Sequence, residues 1–225
     1  MVAGHQKFGE YEPRNFMLNA KCKICRRLGV KLFLKGEKCL SPKCPMVKRA
    51  YPPGQKGKRR PTPLSEYGKS LREKQKLKNW YNLKERQFKN YVKKILERRG
   101  KVEDASSLLI KTLESRLDNV VFRLGFANSR ALAKQLVSYG HFLVNGKSID
   151  TPSYLVKNGD VISIKPQKTK KAIFQNLKNL LKKYKTPSWL ALDVEKLEGK
   201  VIGEPTLEES APPVEISAIF EFYSR

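Results

Sequence analysis

Residues 115–164 read "SRLDNVVFRLGFANSRALAKQLVSYGHFLVNGKSIDTPSYLVKNGDVISI". Apolar residues recur at helical spacing up to Gly125, and Ser129 then begins a second short helix. Asn145-Gly146, between two apolar runs, indicates a hairpin with a type I′ turn. Asn158-Gly159 gives a second turn before another strand. The order of two helices followed by three or four short strands predicts a small α/β module.

The first helix of this module is predicted to start before the quoted stretch, with Ser106 or Ser107 as its cap, and to continue to Gly125. Its core-facing residues share one side of a helix. They are Leu109, Leu113, Leu117, Val120, Val121 and Leu124.

Upstream of the module the sequence predicts two basic helices. Ser65 caps the first, and Asn82 with Glu85 resembles a capping box for the second, which Gly100 would close. The charges on their polar sides are nearly all positive, although like charges one turn apart repel. The pattern favours contact with phosphates, and a merely solvated helix face is the alternative.

The charge of the whole chain points to a polyanionic partner. There are 47 Lys and Arg residues against 21 Asp and Glu, a net charge of +26. A hydrophobic content of 40% is enough for folded cores, and self-repulsion would destabilise such a fold in isolation. Nucleic acid is the first candidate partner and an anionic membrane surface is the second.

The sequence disfavours membrane-spanning and secreted proteins. There is no run of 18 apolar residues to span a membrane, and the first 21 residues contain no apolar core of a secretory signal. We therefore expect a cytoplasmic protein that does not span a membrane. With nucleic acid as the first candidate partner, we expect neither a membrane nor a second copy of the chain among its partners.

The C-terminal stretch has a negative net charge, whereas the rest of the chain is positive. Residues 191–225 hold three basic and eight acidic side chains, whereas residues 1–100 hold 28 basic and seven acidic. A stretch of opposite charge would not face the same polyanion, so we interpret it as an element that contacts protein.

All four cysteines lie within 23 residues, as Cys22-x2-Cys25 and Cys39-x4-Cys44. Two short cysteine pairs separated by a loop predict a closed tetrahedral zinc site that stabilises the fold and has no open position for catalysis. Disulfides, incidental cysteines and an iron–sulfur cluster are the alternatives. The alternating stretch between the pairs suits a small hairpin or ribbon. The zinc would then present the neighbouring cations, among them Lys23, Arg26 and Arg27, on a rigid knuckle.

The 115–164 stretch resembles the RNA-binding module of the small-subunit ribosomal protein S4 family. Four flanking segments resemble bacterial members of the family: "AYPPGQKG", "LSEYGKSLREKQKLKNWYNLKERQFKNY", "PSWLALDVEKLEGK" and the final "FEFYSR". The likeness runs from about residue 22 to 225 and includes the four-cysteine knuckle that only some members carry.

The resemblance implies a primary binder of the 16S rRNA 5′ domain that recognises a multi-helix junction and nucleates assembly of the subunit body. It also implies contact with ribosomal protein S5, an influence on decoding accuracy, and a place beside the channel through which mRNA enters. Some members repress translation of their own message. The expected location is the small ribosomal subunit in the cytoplasm.

The resemblance assigns an rRNA surface to two regions. On the basic helices it comprises Tyr67, Arg72, Lys74, Gln75, Lys76, Lys78, Arg86 and Gln87. On the module it comprises Arg116, Arg123, Arg130, Lys134, Gln135, His141, Asn145 and Lys147. The helical spacing of Arg130, Lys134 and Gln135 independently suits a phosphate backbone, although these residues could also be a solvated face and His141 an ordinary strand histidine.

The mRNA-facing surface would comprise Lys56, Lys58, Arg59 and Arg60. This sequence departs from the family there, because Lys56 stands where "PGQHG" usually has histidine. A phosphate contact stays possible with lysine.

No enzyme signature competes with this interpretation. "GHFLVNGKS" has one residue too many for a phosphate-binding P-loop and falls on a hairpin. With His5 and His141 as the two histidines, no catalytic triad stands out. Modification enzymes that carry the module need a further domain, and the chain has no room for one. The alternative function is a free zinc-knuckle translational repressor or RNA chaperone.

The predicted fold class is α+β. The predicted divisions are an N-terminal extension (1–21), the zinc knuckle (22–50), a basic linker and helical domain (51–105), the RNA-binding module (106–178) and a C-terminal segment (179–225). The last is expected to pack back on the helical domain, which makes the α/β module an insertion.

Overall fold

The structure is a computed structural model that describes residues 21–55, 63–97, 104–169 and 171–224. It is a mixed fold of helices and one antiparallel sheet, as the sequence predicts. The helices are α1 (Lys21–Leu28), α2 (Glu37–Leu40), α3 (Pro45–Lys48), α4 (Glu66–Trp80), α5 (Glu85–Leu96), α6 (Ala105–Glu114), α7 (Leu117–Arg123), α8 (Arg130–Ser138), α9 (Ala172–Gln175), α10 (Leu177–Leu181), α11 (Leu207–Ser210) and α12 (Ile216–Ser224). The strands are β1 (Phe142–Val144), β2 (Lys147–Ser148), β3 (Val161–Ile164), β4 (Leu190–Asp193) and β5 (Glu198–Val201). Within the described residues, no helix combines the length and apolarity needed to cross a bilayer.

The cysteine segment is made of short helices, and the predicted hairpin between the cysteine pairs is wrong. Cys22 and Cys25 lie on α1, and the chain then runs without strand pairing to a turn at residues 34–36. Leu32 is buried with Cys25 and Leu28, which draws this stretch inward against α1 instead of along a partner strand.

The helical domain begins at the predicted cap, since the Ser65 hydroxyl accepts a hydrogen bond from the Gly68 amide. The predicted capping box of α5 is wrong. Its N-cap is Lys84, and Asn82 turns the backbone through the left-handed region with φ of 54°. The Glu85 carboxylate binds lysines of α4 instead of capping α5.

The predicted long helix of the module is two helices. Asp104, rather than a serine, caps α6 through the amide of Ser106. The helix breaks at Arg116, whose backbone is extended and forms a bridge with Leu155. The predicted apolar residues are nonetheless buried on both sides of the break, because α6 and α7 keep them facing inward.

The hairpin of the module has the predicted turn. Asn145 and Gly146 both have positive φ, 50° and 77°, as a type I′ turn requires. Ser129 caps α8 as predicted, through the amide of Leu132. The sheet order is β2-β1-β3-β5-β4, and every pairing is antiparallel. Its inner face packs on α7 and α8, where Gly199 lies so close to Leu124 that a Cβ atom would overlap the leucine.

The C-terminal segment contributes to both halves of the molecule, whereas the sequence predicts only its packing on the helical domain. Strands β4 and β5 extend the sheet of the module. Helix α12 lies against α4 and α5, and its Ile219 is fully buried with Phe88 and Leu109. The last described residues therefore complete two hydrophobic cores.

Candidate nucleic-acid interface

The four cysteines line one small cavity at the surface of the N-terminal segment. Helix α1 supplies Cys22 and Cys25 one turn apart, α2 supplies Cys39, and Cys44 precedes α3. None of the four is paired in a disulfide, and the Lys35 amide donates to Cys39 Sγ over 3.3 Å. Such an amide–sulfur bond suits a metal-bound thiolate, so the donor set fits zinc. In the described part of the chain, however, no three His, Cys, Asp or Glu side chains are arranged to hold an ion. The zinc site stays a prediction.

The cysteine segment is fixed on the rest of the protein from two sides. The Arg72 guanidinium of α4 donates to the Leu28 carbonyl over 3.2 and 2.8 Å. On the module side, Asn128 donates to Glu37 over 3.0 Å, and Gly36 lies so near the Asn128 backbone that a Cβ atom would overlap its oxygen. Arg72, predicted as an RNA contact, thus clamps the segment to the helical domain.

Arg116 is inside the protein, although the resemblance assigns it to the RNA surface. The residue is 1% exposed, and its guanidinium donates to both Asp118 oxygens over 3.0 and 2.6 Å and to the Tyr91 hydroxyl over 2.7 Å. Because Tyr91 belongs to α5 and Asp118 to α7, Arg116 links the helical domain to the module. It is therefore not placed to contact RNA.

Arg123 and Arg130 also point inward, onto the buried carboxylate of Glu114. Arg123 donates to it over 2.9 and 2.8 Å, and an Arg130 nitrogen lies 3.9 Å away. The Arg130 guanidinium stacks 4.0 Å from the Trp80 ring centroid, and the Tyr81 hydroxyl donates to Glu114 over 2.7 Å. We call these five residues the Glu114 cluster.

Two arginines stabilise the ionised form of the buried Glu114 carboxylate. Burial raises the pKa of Glu114, but the hydrogen bonds of Arg123 and the charges of Arg123 and Arg130 outweigh it and hold the pKa below its usual range. Arg130 Nη2 is buried with no hydrogen-bond partner in the described residues. Since Glu114 is 1% exposed, its removal would leave two largely buried cations without their carboxylate.

Lys74 lies under α12 instead of on the surface. It is 6% exposed, its ammonium is 2.7 Å from a Glu85 oxygen, and it lies 4.3 Å from the Phe222 ring centroid. Lys78 binds the other Glu85 oxygen over 3.0 Å, and the Tyr223 hydroxyl donates to Glu85 over 3.2 Å. This lysine pair therefore anchors α12 to α4 and α5.

Glu85→Gln is expected to loosen α12. Burial raises the pKa of Glu85, but Lys74 and Lys78 outweigh burial and lower it from 4.5 to about 2. Because the folded pKa lies below the unfolded one, the stabilisation is present above about pH 4.3 and fades as the pH falls towards 2. The carboxylate is 46% exposed and screened, so we expect a loss of about 1 kcal/mol at pH 7 in urea unfolding.

Repeating the unfolding at pH 3 should shrink the difference between Glu85→Gln and the wild-type chain. Glu208→Gln, an exposed carboxylate at the start of α11, is the control and should be neutral at both pH values. An equal loss at pH 3 and pH 7 would contradict the electrostatic origin.

His141 and Lys134 have limited access to solvent. His141 is 3% exposed, and its Nδ1 has no hydrogen-bond partner among the described residues. Burial and the charges of three nearby lysines lower the pKa of His141. The Lys134 ammonium donates to the Asn82 carbonyl over 3.3 Å. Lys134 therefore links α8 to the turn that follows α4, and His141 is largely withdrawn from solvent.

The remaining predicted RNA contacts are at least partly accessible. Those that are exposed are Lys23, Arg27, Tyr67, Arg86, Gln135, Asn145 and Lys147, and those that are half-buried are Arg26, Gln75, Lys76, Lys78 and Gln87. Asn145 also braces its hairpin by donating to Asp160 over 2.8 Å. Lys56, Lys58, Arg59 and Arg60 lie outside the described residues, as do residues 1–20.

Exposed cations on two further elements extend this surface. Helix α5 presents Arg86, Lys89 and Lys93 at helical spacing, on the positive side for which the sequence predicts phosphate contact. The chain after β3 adds exposed lysines that the sequence patterns did not assign, which are Lys171, Lys178, Lys182, Lys183 and Lys185. The density of lysine in residues 165–185 was the available signal. Together these residues give the protein accessible basic surface on both the helical domain and the module, which can neutralise a phosphate backbone.

Two family models match the chain. "Ribosomal protein S4/S9 N-terminal domain" matches residues 17–114, and "S4 domain" matches residues 115–162. Among curated relatives, "Small ribosomal subunit protein uS4" of Thermus thermophilus is 49% identical over 205 residues, covering 91% of this chain and 96% of the relative. The protein of the same name from Caldicellulosiruptor saccharolyticus is 49% identical over 204 residues, with the same coverage. "Small ribosomal subunit protein uS4A" of Alkaliphilus metalliredigens is 46% identical over 207 residues, covering 92% of this chain and 98% of the relative.

Proposed function

Because this chain belongs to the uS4 family of small ribosomal subunit proteins, we propose that it is a structural constituent of the small subunit and binds 16S rRNA. The likeness across 91% of the chain to relatives of that name is the observation that carries the proposal. As a family member, the protein is ribosome-bound in the cytoplasm. The family is structural rather than enzymatic, and we assign no catalytic residue.

We propose further that it binds the 5′ domain at a multi-helix junction and nucleates assembly of the subunit body. The exposed cations of α5, of the hairpin turn and of residues 165–185 support this role, because they lie on both halves of the molecule and could span more than one RNA helix. A-form RNA offers shape, 2′-hydroxyls and phosphates to such a surface rather than readable base edges.

The acidic C-terminal stretch supports a protein contact, for which we propose ribosomal protein S5. Its carboxylates at Glu195, Glu204, Glu208, Glu209 and Glu215 are exposed. We also propose that the basic residues within 56–60 lie beside the channel through which mRNA enters. Through the contacts with S5 and with mRNA, we propose that the protein influences decoding accuracy.

We also propose that Cys22, Cys25, Cys39 and Cys44 hold one structural zinc ion. Their convergence on one cavity and the Lys35 amide bond to Cys39 support this ligand set. Bound zinc would tie the three short helices of the segment together, because the segment has few buried side chains of its own.

Binding to the rRNA 5′ domain should depend steeply on salt. If 6–10 phosphates are contacted, affinity should fall by about 10³–10⁵ between 50 and 200 mM salt. Footprinting should show discrete protection around one junction, and the protein should cosediment stoichiometrically with small subunits. Diffuse protection with substoichiometric cosedimentation would favour a free repressor or RNA chaperone.

A charge-removal variant tests the surface itself. Replacing Arg86, Lys89 and Lys93 by alanine should reduce the slope of log affinity against log salt by about one for each phosphate interaction removed. Lys196→Ala, an exposed lysine in the turn between β4 and β5, is the matched control and should leave the slope unchanged. A flat response of the wild-type chain to salt would contradict phosphate binding.

A further inference from the structure

Phe33 combines a costly backbone with an exposed ring. Its φ is +52°, in the left-handed region, where a bulky residue is a rare exception. Such a conformation costs about 1–3 kcal/mol. The side chain is 48% exposed, so core burial does not offset that cost. Neither packing nor local backbone preference explains a phenylalanine here.

The neighbours of Phe33 hold it in this conformation. Leu32, directly before it, is 1% exposed and fixed in the small core with Cys25. The Phe33 carbonyl accepts a hydrogen bond from the Gly36 amide over 3.4 Å, and Gly36 is pressed against the Asn128 backbone. The chain is thus held on both sides, while about half of the surface of Phe33 stays accessible to solvent.

The ring lies beside a lysine in a basic segment of the chain. The Lys31 ammonium lies 5.2 Å from the ring centroid, in a cation–π contact. Residues 21–50 hold ten basic side chains and one acidic one, Glu37. An aromatic face beside a lysine matches the two parts of a nucleotide, because the base stacks and the phosphate carries the negative charge. An apolar protein partner would not account for the positive charge of residues 21–50.

We infer that Phe33 is a base-stacking residue that takes an unpaired base of the bound RNA, with Lys31 beside that nucleotide's phosphate. The inference rests on the proposed rRNA binding and adds a site for a single unstacked nucleotide. In this arrangement the strained backbone at Phe33 lets the cysteine segment present an aromatic ring to the RNA.

Three substitutions at Phe33 separate stacking from apolar contact and from strain. Phe33→Gly and Phe33→Leu should each weaken binding to the 5′ domain by about 5- to 150-fold, the range for loss of one stacked base. Phe33→Tyr, which keeps the ring, should bind like the wild-type chain. Dimethyl sulfate should reach one or a few more unpaired bases with the glycine variant, while hydroxyl-radical protection of the backbone persists.

Urea unfolding checks the strain in the same variants. Phe33→Gly should be at least as stable as Phe33→Leu, because glycine accepts positive φ and leucine does not. A glycine variant less stable than the leucine variant would overturn the strain argument. Unchanged affinity of Phe33→Gly, or full affinity of Phe33→Leu, would overturn stacking. A wild-type chain that protects no discrete RNA site would overturn the proposed function first, and this inference with it.

Discussion

Replacing Glu114 by alanine is expected to lower the free energy of unfolding by about 3–5 kcal/mol, the usual cost of removing one partner from a buried ion pair. The carboxylate is 1% exposed and faces Arg123 and Arg130. Without it, both guanidinium groups stay largely buried with no carboxylate to neutralise them, and the Tyr81 hydroxyl loses its acceptor. Urea unfolding measures the loss directly.

The cluster also joins two parts of the chain, which gives a second readout. Tyr81 belongs to the helical domain and Arg123 and Arg130 to the module. Hydrogen exchange in Glu114→Ala should therefore rise at the ends of α4 and α8 together. Glu97→Ala is the control, since Glu97 is 61% exposed in a 3.8 Å ion pair and should cost at most about 1 kcal/mol. Equal losses for the two variants would refute the role of the cluster.

Cys39→Ser is expected to release the proposed zinc and unfold residues 22–44 locally. Structural zinc contributes on the order of 10 kcal/mol in small metal-bound segments, far more than the few buried side chains here. The wild-type chain should contain one zinc per molecule by elemental analysis, and the variant close to none. Hydrogen exchange should become fast in residues 22–44 while residues 115–164 stay protected.

Ser41→Ala is the matched control for this experiment. Ser41 lies between Cys39 and Cys44, and its hydroxyl bonds only locally, to the Lys38 carbonyl over 3.1 Å. It should keep full zinc and slow exchange. A Cys39→Ser protein with stoichiometric zinc would show that the ligand set is wrong. Loss of structure in residues 115–164 as well would show that the cysteine segment supports the module.

Local signals in the sequence predicted individual caps and turns well. Ser65 caps α4, Ser129 caps α8 and Asn145-Gly146 forms the hairpin turn, because each depends on a few neighbouring residues. The failures depend on distant contacts. Asn82 and Glu85 match a capping box in letters, yet Lys74 and Lys78, brought close by the packing of α4 on α5, take the carboxylate.

The candidate site was harder to predict because a sequence shows charge but not burial. Arg116, Arg123 and Arg130 look like the exposed cations of an RNA-binding face, yet each neutralises a buried carboxylate. Two acidic residues, Glu114 and Asp118, stand within a basic stretch and were the available clue. The pairing of β5 with β3 joins residues about 40 positions apart, which no local pattern reveals.

The last described residues complete both hydrophobic cores. The cores can therefore form only late in the synthesis of the described chain. Strand β5 and helix α12 are made after β3, α4 and α5, on which they pack. Until they leave the translating ribosome, α4 and α5 have no α12 to cover them, and β3 has an open edge where β5 will pair. Neither half can reach its final state before residues 190–224 are made, although domains commonly fold as units from the N-terminus. The basic helices and the hairpin are therefore made before the two cores that hold them are complete.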